Sequence, residues 1–482
     1  MNKYRSMQFA VRPSVVLRLL ADMYGLLALL TLVPGTLALL TGSAAGPAYL
    51  GVIGALATAW LFGRLLPDPQ KIQQNEALVM VALLFTSASL LLSLPVTAYG
   101  VPFLDAWFEA VSGVTTTGLS TLDIGPMPAA FLFGRAWMQW VGGIGVVVLA
   151  LAIFVRPGVT ASRLGFSSRE MDDVVGGTRA HARRVLVIYL LLTGAGVLAL
   201  LLCGAGPLDA VAHAMAAVST GGFANYPDSL ASVGSARLWV INLLCIAGAV
   251  SFYLYYRSLL SSRPGKFLDN QLYALLILIA LGTAAAWIST RLAGEELGLG
   301  NLLTLVISAQ TTAGFSTFAI GDLPPVLLLV LCACMAVGGG AGSTAGGIKL
   351  DRALLLAGLA RRAVLRTGLP EDVYVAGDAA DGGRRIEEAV ALLAWFGGAL
   401  LLSWMVFLAH GLPPLASLFE VTSALANVGL TAGLTGAELP ATLKVILCCN
   451  MLLGRLELLA VLVLFAPRTW IGRRRRTTRR KQ

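Results

Sequence analysis

Residues 115–121 read TTTGLST, and the pattern returns as STGGFAN at 219–225, TTAGFST at 311–317 and ANVGLTA at 426–432. Each copy sets small residues around one fixed glycine (Gly118, Gly222, Gly314, Gly429) followed directly by Leu or Phe. The glycines stand 104, 92 and 115 residues apart. Before each lies a short apolar segment, at 102–117, 207–221, 299–313 and 413–428, and a much longer apolar block flanks each unit on either side. A helix of about 15 residues covers roughly 20 Å, too little to cross about 30 Å of hydrocarbon. It must enter partway and return through the glycine turn. Non-helical backbone at that depth is tolerated only where protein buries it or water lines it. Four such units predict four re-entrant segments meeting at a cavity or pore.

Composition sets the frame. The chain has 482 residues, 57% hydrophobic and 12% charged, against about 25% charged in a soluble protein. Its apolar blocks of about 18 to 25 residues can cross a membrane as helices. They are continuous and rich in Leu and Ala rather than alternating, which disfavours a strand-built barrel. Ten spans are expected, at about 16–41, 48–66, 76–97, 130–155, 184–205, 237–260, 270–290, 324–354, 387–411 and 441–466, with a kink at Pro34 in the first. Residues 1–14 are polar and basic and the first block outruns a signal core, so no cleavable signal is expected.

The expected fold is an all-α polytopic membrane protein. Two extra spans occupy 1–72. Four parallel units of span, short helix, filter turn and span follow at 73–180, 181–266, 267–380 (its second span broken) and 381–466, around one pseudo-fourfold axis. A basic tail fills 467–482. Two spans per unit give every unit the same orientation, whereas most carriers with broken helices use inverted repeats.

Of the 35 Lys and Arg, 30 fall at 1–18, 64–71, 156–184, 257–266, 349–385 and 468–482. The connections near 97–127, 206–237, 289–324 and 411–441 carry ten acids and only Arg237 and Arg291 as bases. Positive charge marks the cytoplasmic side, so both termini are expected inside and the outer face acidic. The run RRRRTTRRK at 473–481 reads as a juxtamembrane segment on anionic lipid rather than a nucleic-acid site. All six cysteines (Cys203, Cys245, Cys332, Cys334, Cys448, Cys449) lie in apolar spans, as structural thiols do, and their spacing lacks the further ligands of a zinc or redox centre. With three histidines, His181, His213 and His410, a histidine-built centre is poorly supported.

A bare monovalent cation entering a membrane must regain its hydration from oxygen ligands, which backbone carbonyls supply when several segments aim them inward. Glycine permits the torsions this needs and lets four segments approach an axis. Expected filter residues are Thr116, Thr117, Gly118, Thr220, Gly221, Gly222, Thr312, Ala313, Gly314, Asn427, Val428 and Gly429. The C-terminal ends of the short helices, partly negative, favour a cation at the same point. Taken singly, each glycine could be a packing residue; four matched copies argue against that. Glu109 and Glu420, each nine residues before a filter glycine, admit two roles: concentrating cations at the mouth or anchoring the short helices by hydrogen bonds.

With these turns, GGGAGSTAGGIK at 338–349 and MLLGRLELL at 451–459, essentially the whole chain resembles the potassium-translocating subunits of the Trk/Ktr/HKT superfamily. The two extra N-terminal spans favour the TrkH type over the shorter KtrB type. The resemblance implies potassium as the transported ion, no covalently bound cofactor and a homodimer with two separate pores. It also implies the bacterial cytoplasmic membrane and a cytoplasmic TrkA-type partner that binds NAD(H), ATP or ADP. Glycine in all four turns is associated in that superfamily with potassium preference, and serine at the first turn with sodium. None of the four turns reads TVGYG, so fewer or weaker ion sites than in a true channel filter are expected.

The run at 338–347 interrupts span eight, where each glycine costs a helix about 1 kcal/mol relative to alanine. It is not a phosphate loop, because Ile348 separates Gly347 from Lys349 and no strand precedes it. The resemblance makes it an intramembrane loop obstructing permeation, with Gly339, Gly340, Gly342, Gly346 and Gly347 giving its path. Lys349 is either a positive plug or a snorkelling surface residue. Arg455 lies inside span ten, where a central arginine costs about 2.5–3.5 kcal/mol on insertion scales and must face the interior. It matches the arginine of the superfamily's last span. A barrier to cations and an ion pair with Glu457 or Glu420 both remain open. The rival function is a carrier for sodium or an organic solute, including a sodium-permeable or proton- or sodium-coupled cation carrier. A membrane enzyme is not expected, since the spans hold no cluster of catalytic groups.

Overall fold

The computed structural model describes residues 10–69, 72–154, 178–260, 269–367, 380–456 and 459–471. The basic stretches at 156–184 and 349–385 fall partly outside these, and the run at 473–481 wholly so. An N-terminal hairpin, α1 (Pro13–Leu40, continuous through Pro34) and α2 (Gly46–Gly63), precedes four successive units. The first is α3 (Gln74–Thr97), α4 (Phe103–Val114) and α5 (Ala129–Phe154). The second is α6 (Thr178–Leu202), α7 (Pro207–Val218) and α8 (Ser235–Ala249), the last turning by 93° into α9 (Phe252–Tyr255). The third is α10 (Asn270–Leu292), α11 (Leu299–Gln310) and α12 (Pro325–Ala336), with α13 (Leu350–Arg366) beyond a loop. The fourth is α14 (Ala380–Ala409), α15 (Pro414–Leu425) and α16 (Ala441–Arg455), followed by α17 (Leu459–Phe465) and α18 (Pro467–Trp470).

The short helices α4, α7, α11 and α15 have 12 residues each, fewer than the sequence suggested, because the last residues of each apolar segment form the turn instead. Pro102, Gly206, Gly298 and Pro413 precede them, and α7 and α15 also carry Pro in the first helical turn, where its missing N–H is no loss. These helices and their successors pack in a closed cycle: α4 on α5, α5 on α7, α7 on α8, α8 on α11, α11 on α12, α12 on α15, α15 on α16, and α16 back on α4.

Six described helices are long and apolar enough to cross a membrane, seven with the bent α8–α9 pair. Of the ten segments expected, that at 130–155 is the single helix α5, outside this count, and three are not continuous helices among the described residues. The segments expected at 237–260 and 324–354 are interrupted, and that at 441–466 is described as two helices, Ala441–Arg455 and Leu459–Phe465. At the α8–α9 break the loop after α12 claims carbonyls that would continue the helix. Gly340 N–H donates to Ala249 (2.8 Å) and Thr344 N–H to Gly248 (3.2 Å). Groups inserted into the i→i−4 ladder break a helix in this way.

The hairpin buries Leu27, Ala28, Val52 and Leu56 in one core with Ala82, Phe85 and Ala88 of α3. The two ends of the described chain meet: Val11 N–H donates to the Thr469 carbonyl (2.9 Å). Beside them Arg12 pairs with the fully buried Glu76 (2.7 Å).

Candidate functional site: a ring of four backbone turns

Each short helix ends in the same cap. Thr116, Thr220, Thr312 and Asn427 lie in the left-handed region with φ of 55°, 51°, 56° and 53°. The N–H of the following residue reaches back five positions, Thr117 to Ser112, Gly221 to Ala216, Ala313 to Ser308 and Val428 to Ser423, at 2.8–2.9 Å. This is a Schellman cap, usually built with glycine. Three threonines there carry strain of order 1–3 kcal/mol each, held in place by the surrounding packing.

One residue after the cap pair come Gly118, Gly222, Gly314 and Gly429, with φ of 94°, 78°, 77° and 97°. A Cβ on Gly118 would strike the Gly221 carbonyl oxygen, one on Gly222 that of Ala313, one on Gly314 that of Val428, and one on Gly429 that of Thr117. The contacts run from turn 1 to 2, 2 to 3, 3 to 4 and 4 back to 1, so the glycines close a ring of main chain. The twelve residues expected from the sequence are therefore brought together.

The ring is held differently at each corner. Ser112 and Ser423 accept from the N–H of Gly118 and Gly429, both at 3.0 Å. Asn427 Nδ2 donates to Thr117 Oγ1 (2.9 Å) and to the Met451 carbonyl (2.7 Å), tying turn 4 to turn 1. Of the two roles left open for Glu109 and Glu420, the geometry gives anchoring. Both side chains are fully buried. Glu420 accepts from the hydroxyls of Thr431 and Thr435 and the N–H groups of Ala432 and Leu434. Glu109 accepts from Ser120 (2.7 Å) and pairs with Arg135.

The glycine-rich run packs directly against the ring. Thr344 Oγ1 lies 2.9 Å from the Val218 carbonyl and 3.0 Å from that of Gly248, and Gly346 N–H donates to Thr312 Oγ1 (2.7 Å). The run crosses back on itself where Val337 bridges Ile348 in parallel. Gly339 accepts from Leu350 N–H (3.0 Å) and Gly342 from Phe252 N–H (3.3 Å). Gly347 has φ of 65°, and a Cβ on Gly346 would strike the Ala426 carbonyl. Lys349 donates to the Ala345 carbonyl of the same run. Arg455, itself buried, donates from Nη1 to Thr344 O (2.8 Å) and from Nη2 to Gly142 O (3.1 Å) and Gly143 O (3.3 Å). It binds the loop to α5. Glu420 is engaged elsewhere, and Glu457 lies outside the described residues.

Sequence reading missed Thr344, Gln310, Gln139 and Arg135. Gln310 donates to the Val337 carbonyl where α12 breaks, and Gln139 to the Gly221 carbonyl inside the ring. The available signal was polarity: Arg135 and Gln139 stand at i and i+4 in an apolar helix, and polar side chains in such spans face the interior.

Long apolar helices around a closed ring of four main-chain turns define a multi-pass membrane protein, and its relatives place it in the cation-transport class. Among the described residues no group of three or more metal-binding side chains is found. The family model described as "TrkH: Cation transport protein" matches residues 69–278 and 300–471, and the chain belongs to that family, one of transporters rather than enzymes. It is 30% identical to the Trk system potassium uptake protein TrkH of Escherichia coli K12 over 94% of this chain and 99% of that one. It is 33% identical to the Trk system potassium uptake protein TrkI of Halomonas elongata, over 94% and 96%. The crystal structure of the potassium transporter TrkH from Vibrio parahaemolyticus superposes with a TM-score of 0.84 at 27% identity, covering 96% and 100% of the two chains.

Proposed function

We propose that the protein takes up potassium across the bacterial cytoplasmic membrane. Ions pass along one axis inside the glycine ring, with residues 116–118, 220–222, 312–314 and 427–429 as the filter. The units at 73–180, 181–266, 267–380 and 381–466 form the four sides. With broken segments counted as crossings, the chain spans ten times and both termini are cytoplasmic. The loop at 338–349, held by Arg455, is the gate. A homodimer and a cytoplasmic nucleotide-binding partner of the TrkA type complete the assembly.

The observation that carries this reading is the ring: four glycines, each with its Cβ position taken by the next turn's carbonyl oxygen. A soluble or purely structural role gives no reason for that closure, whereas a desolvated cation requires converging carbonyls. Growth of a potassium-uptake-deficient bacterium on low potassium tests it, with the protein supplied alone and with a TrkA-type partner. Wild type restores growth. Gly118→Ser, at equal membrane abundance, loses rescue or admits sodium, because its side chain meets the Gly221 carbonyl. Equal rescue by both removes the ring from selectivity, and no rescue by wild type even with the partner favours the carrier.

A further inference from the structure

Arg135 is buried, at 3% exposure. It pairs with Glu109, whose other oxygen holds Ser120, two residues beyond Gly118. Its Nη1 donates to the Ala224 carbonyl (3.2 Å), two residues beyond Gly222, and its guanidinium lies 3.9 Å from the centre of the Phe223 ring. One ion pair thus grips the exits of turns 1 and 2 together. One helical turn further along α5, Gln139 donates to the Gly221 carbonyl and accepts from Phe223 N–H (3.1 Å).

A second pair, Lys444 with Asp105 (2.6 Å), joins the exits of turns 4 and 1: Asp105 accepts from Thr121 (2.7 Å) and Lys444 donates to the Ala437 carbonyl (2.8 Å), but Ala437 lies eight residues beyond Gly429 whereas Arg135 bonds two residues beyond Gly222. The position nine residues before the filter glycine is Glu109, His213, Leu305 and Glu420 in turn. Gly142, Gly248 and Gly454 each receive a short-helix carbonyl (Val114, Val218, Leu425), which aligns α5, α8 and α16. Seven residues earlier on those helices stand Arg135, Ile241 and Leu447, and three residues earlier Gln139, Cys245 and Met451. Of these three helices only α5 carries a charged or amide side chain at these two positions, although a buried charge is costly to install.

We propose that Glu109 and Arg135 are a positioning pair for cation selectivity, clamping turn 1 to turn 2 so that Gly118 and the Gly221 carbonyl keep one spacing. The proposal rests on the uptake reading above. The planar fork of arginine matters here: it pairs with the carboxylate, donates to a carbonyl and lies over an aromatic face at once, which an ammonium cannot do. The pair is also neutral overall, so it steers turns without placing net charge beside a cation path.

The test is potassium uptake against concentration, and its competition by sodium, in the deficient bacterium with the full-length chain and its partner. Arg135→Lys keeps the charge and is expected to reach the membrane normally. Loss of its hydrogen bond to Ala224 and of the stacked geometry lowers the potassium-over-sodium preference roughly fivefold, the scale of one buried hydrogen bond. Glu109→Gln leaves a buried guanidinium unpaired beside the ring and raises the apparent KM for potassium. The double variant Glu109→Gln/Arg135→Gln removes that charge and lowers the apparent KM again without restoring the wild-type preference. Wild-type preference and KM in both Arg135→Lys and the double variant overturn the proposal. So does failure of both to accumulate, which would make the pair a folding requirement. A wild type that moves no potassium sinks the uptake reading itself, and the pair's role with it.

Discussion

Threonine is a poor residue for φ near +55°, yet it occupies three of the four caps. At Thr312 a reason is visible: the cap conformation points its hydroxyl at Gly346 N–H in the loop at 338–349. Thr220 Oγ1 similarly stands 3.3 Å from Thr344 Oγ1. Strain at the ring is thus coupled to hydrogen bonds with the loop beneath it. Thr312→Ser keeps the hydroxyl and should conduct near the wild-type rate. Thr312→Gly suits the backbone better but removes a bond worth about 1 kcal/mol, shifting the loop's equilibrium toward release by roughly fivefold. Rubidium uptake at saturating concentration reads the difference. Equal rates in both variants would dissociate turn 3 from the loop. Gly118 and its counterparts were legible in the sequence because glycine has a conformational signature. The strained threonines were flagged only as small neighbours, since nothing in residue type announces a left-handed φ.

The short helices and the turns were legible as elements because length decides them: a segment too short to cross must return. Broken helices were less so. The break in α12–α13 was written in its glycine run, but the bend between α8 and α9 was not, because its cause is the loop arriving from ninety residues further along the chain. Thr344 is the centre of that arrangement, bonded to the end of α7, to α8 and to Arg455. Thr344→Val keeps the shape but removes the single hydroxyl donor shared between the Val218 and Gly248 carbonyls, at about 1–3 kcal/mol, while the main-chain N–H to Gly248 stays. The purified protein should melt at lower temperature while uptake rises. Arg455→Ala removes donors to Thr344, Gly142 and Gly143 and should raise uptake too. Because both changes release the same loop, the double variant should exceed neither single variant by much. Additive gains would mean that Arg455 acts as a separate electrostatic barrier.

For the whole molecule, the proposed sidedness rests on charge placement, to which the geometry adds that the two ends of the described chain lie together. The bond between Val11 and Thr469 brings the two ends of the described chain to one face, as an even number of crossings requires. Arg12 and Glu76 lie at that same face. The opposite connections hold Asp123 and Asp322 in turns after the glycine ring. The inner face should therefore be the one with the termini. A variant with all six cysteines replaced, carrying one new cysteine at a time, decides this in intact cells. Arg64→Cys and Thr469→Cys should resist a membrane-impermeant maleimide until the cells are opened, while Asp123→Cys and Asp322→Cys should react at once. The reverse pattern would put the acidic connections in the cytoplasm and turn the short helices' C-terminal ends toward the outside. The gate loop would then face the medium, out of reach of any nucleotide-binding partner, and the proposed control by such a partner would fall with it.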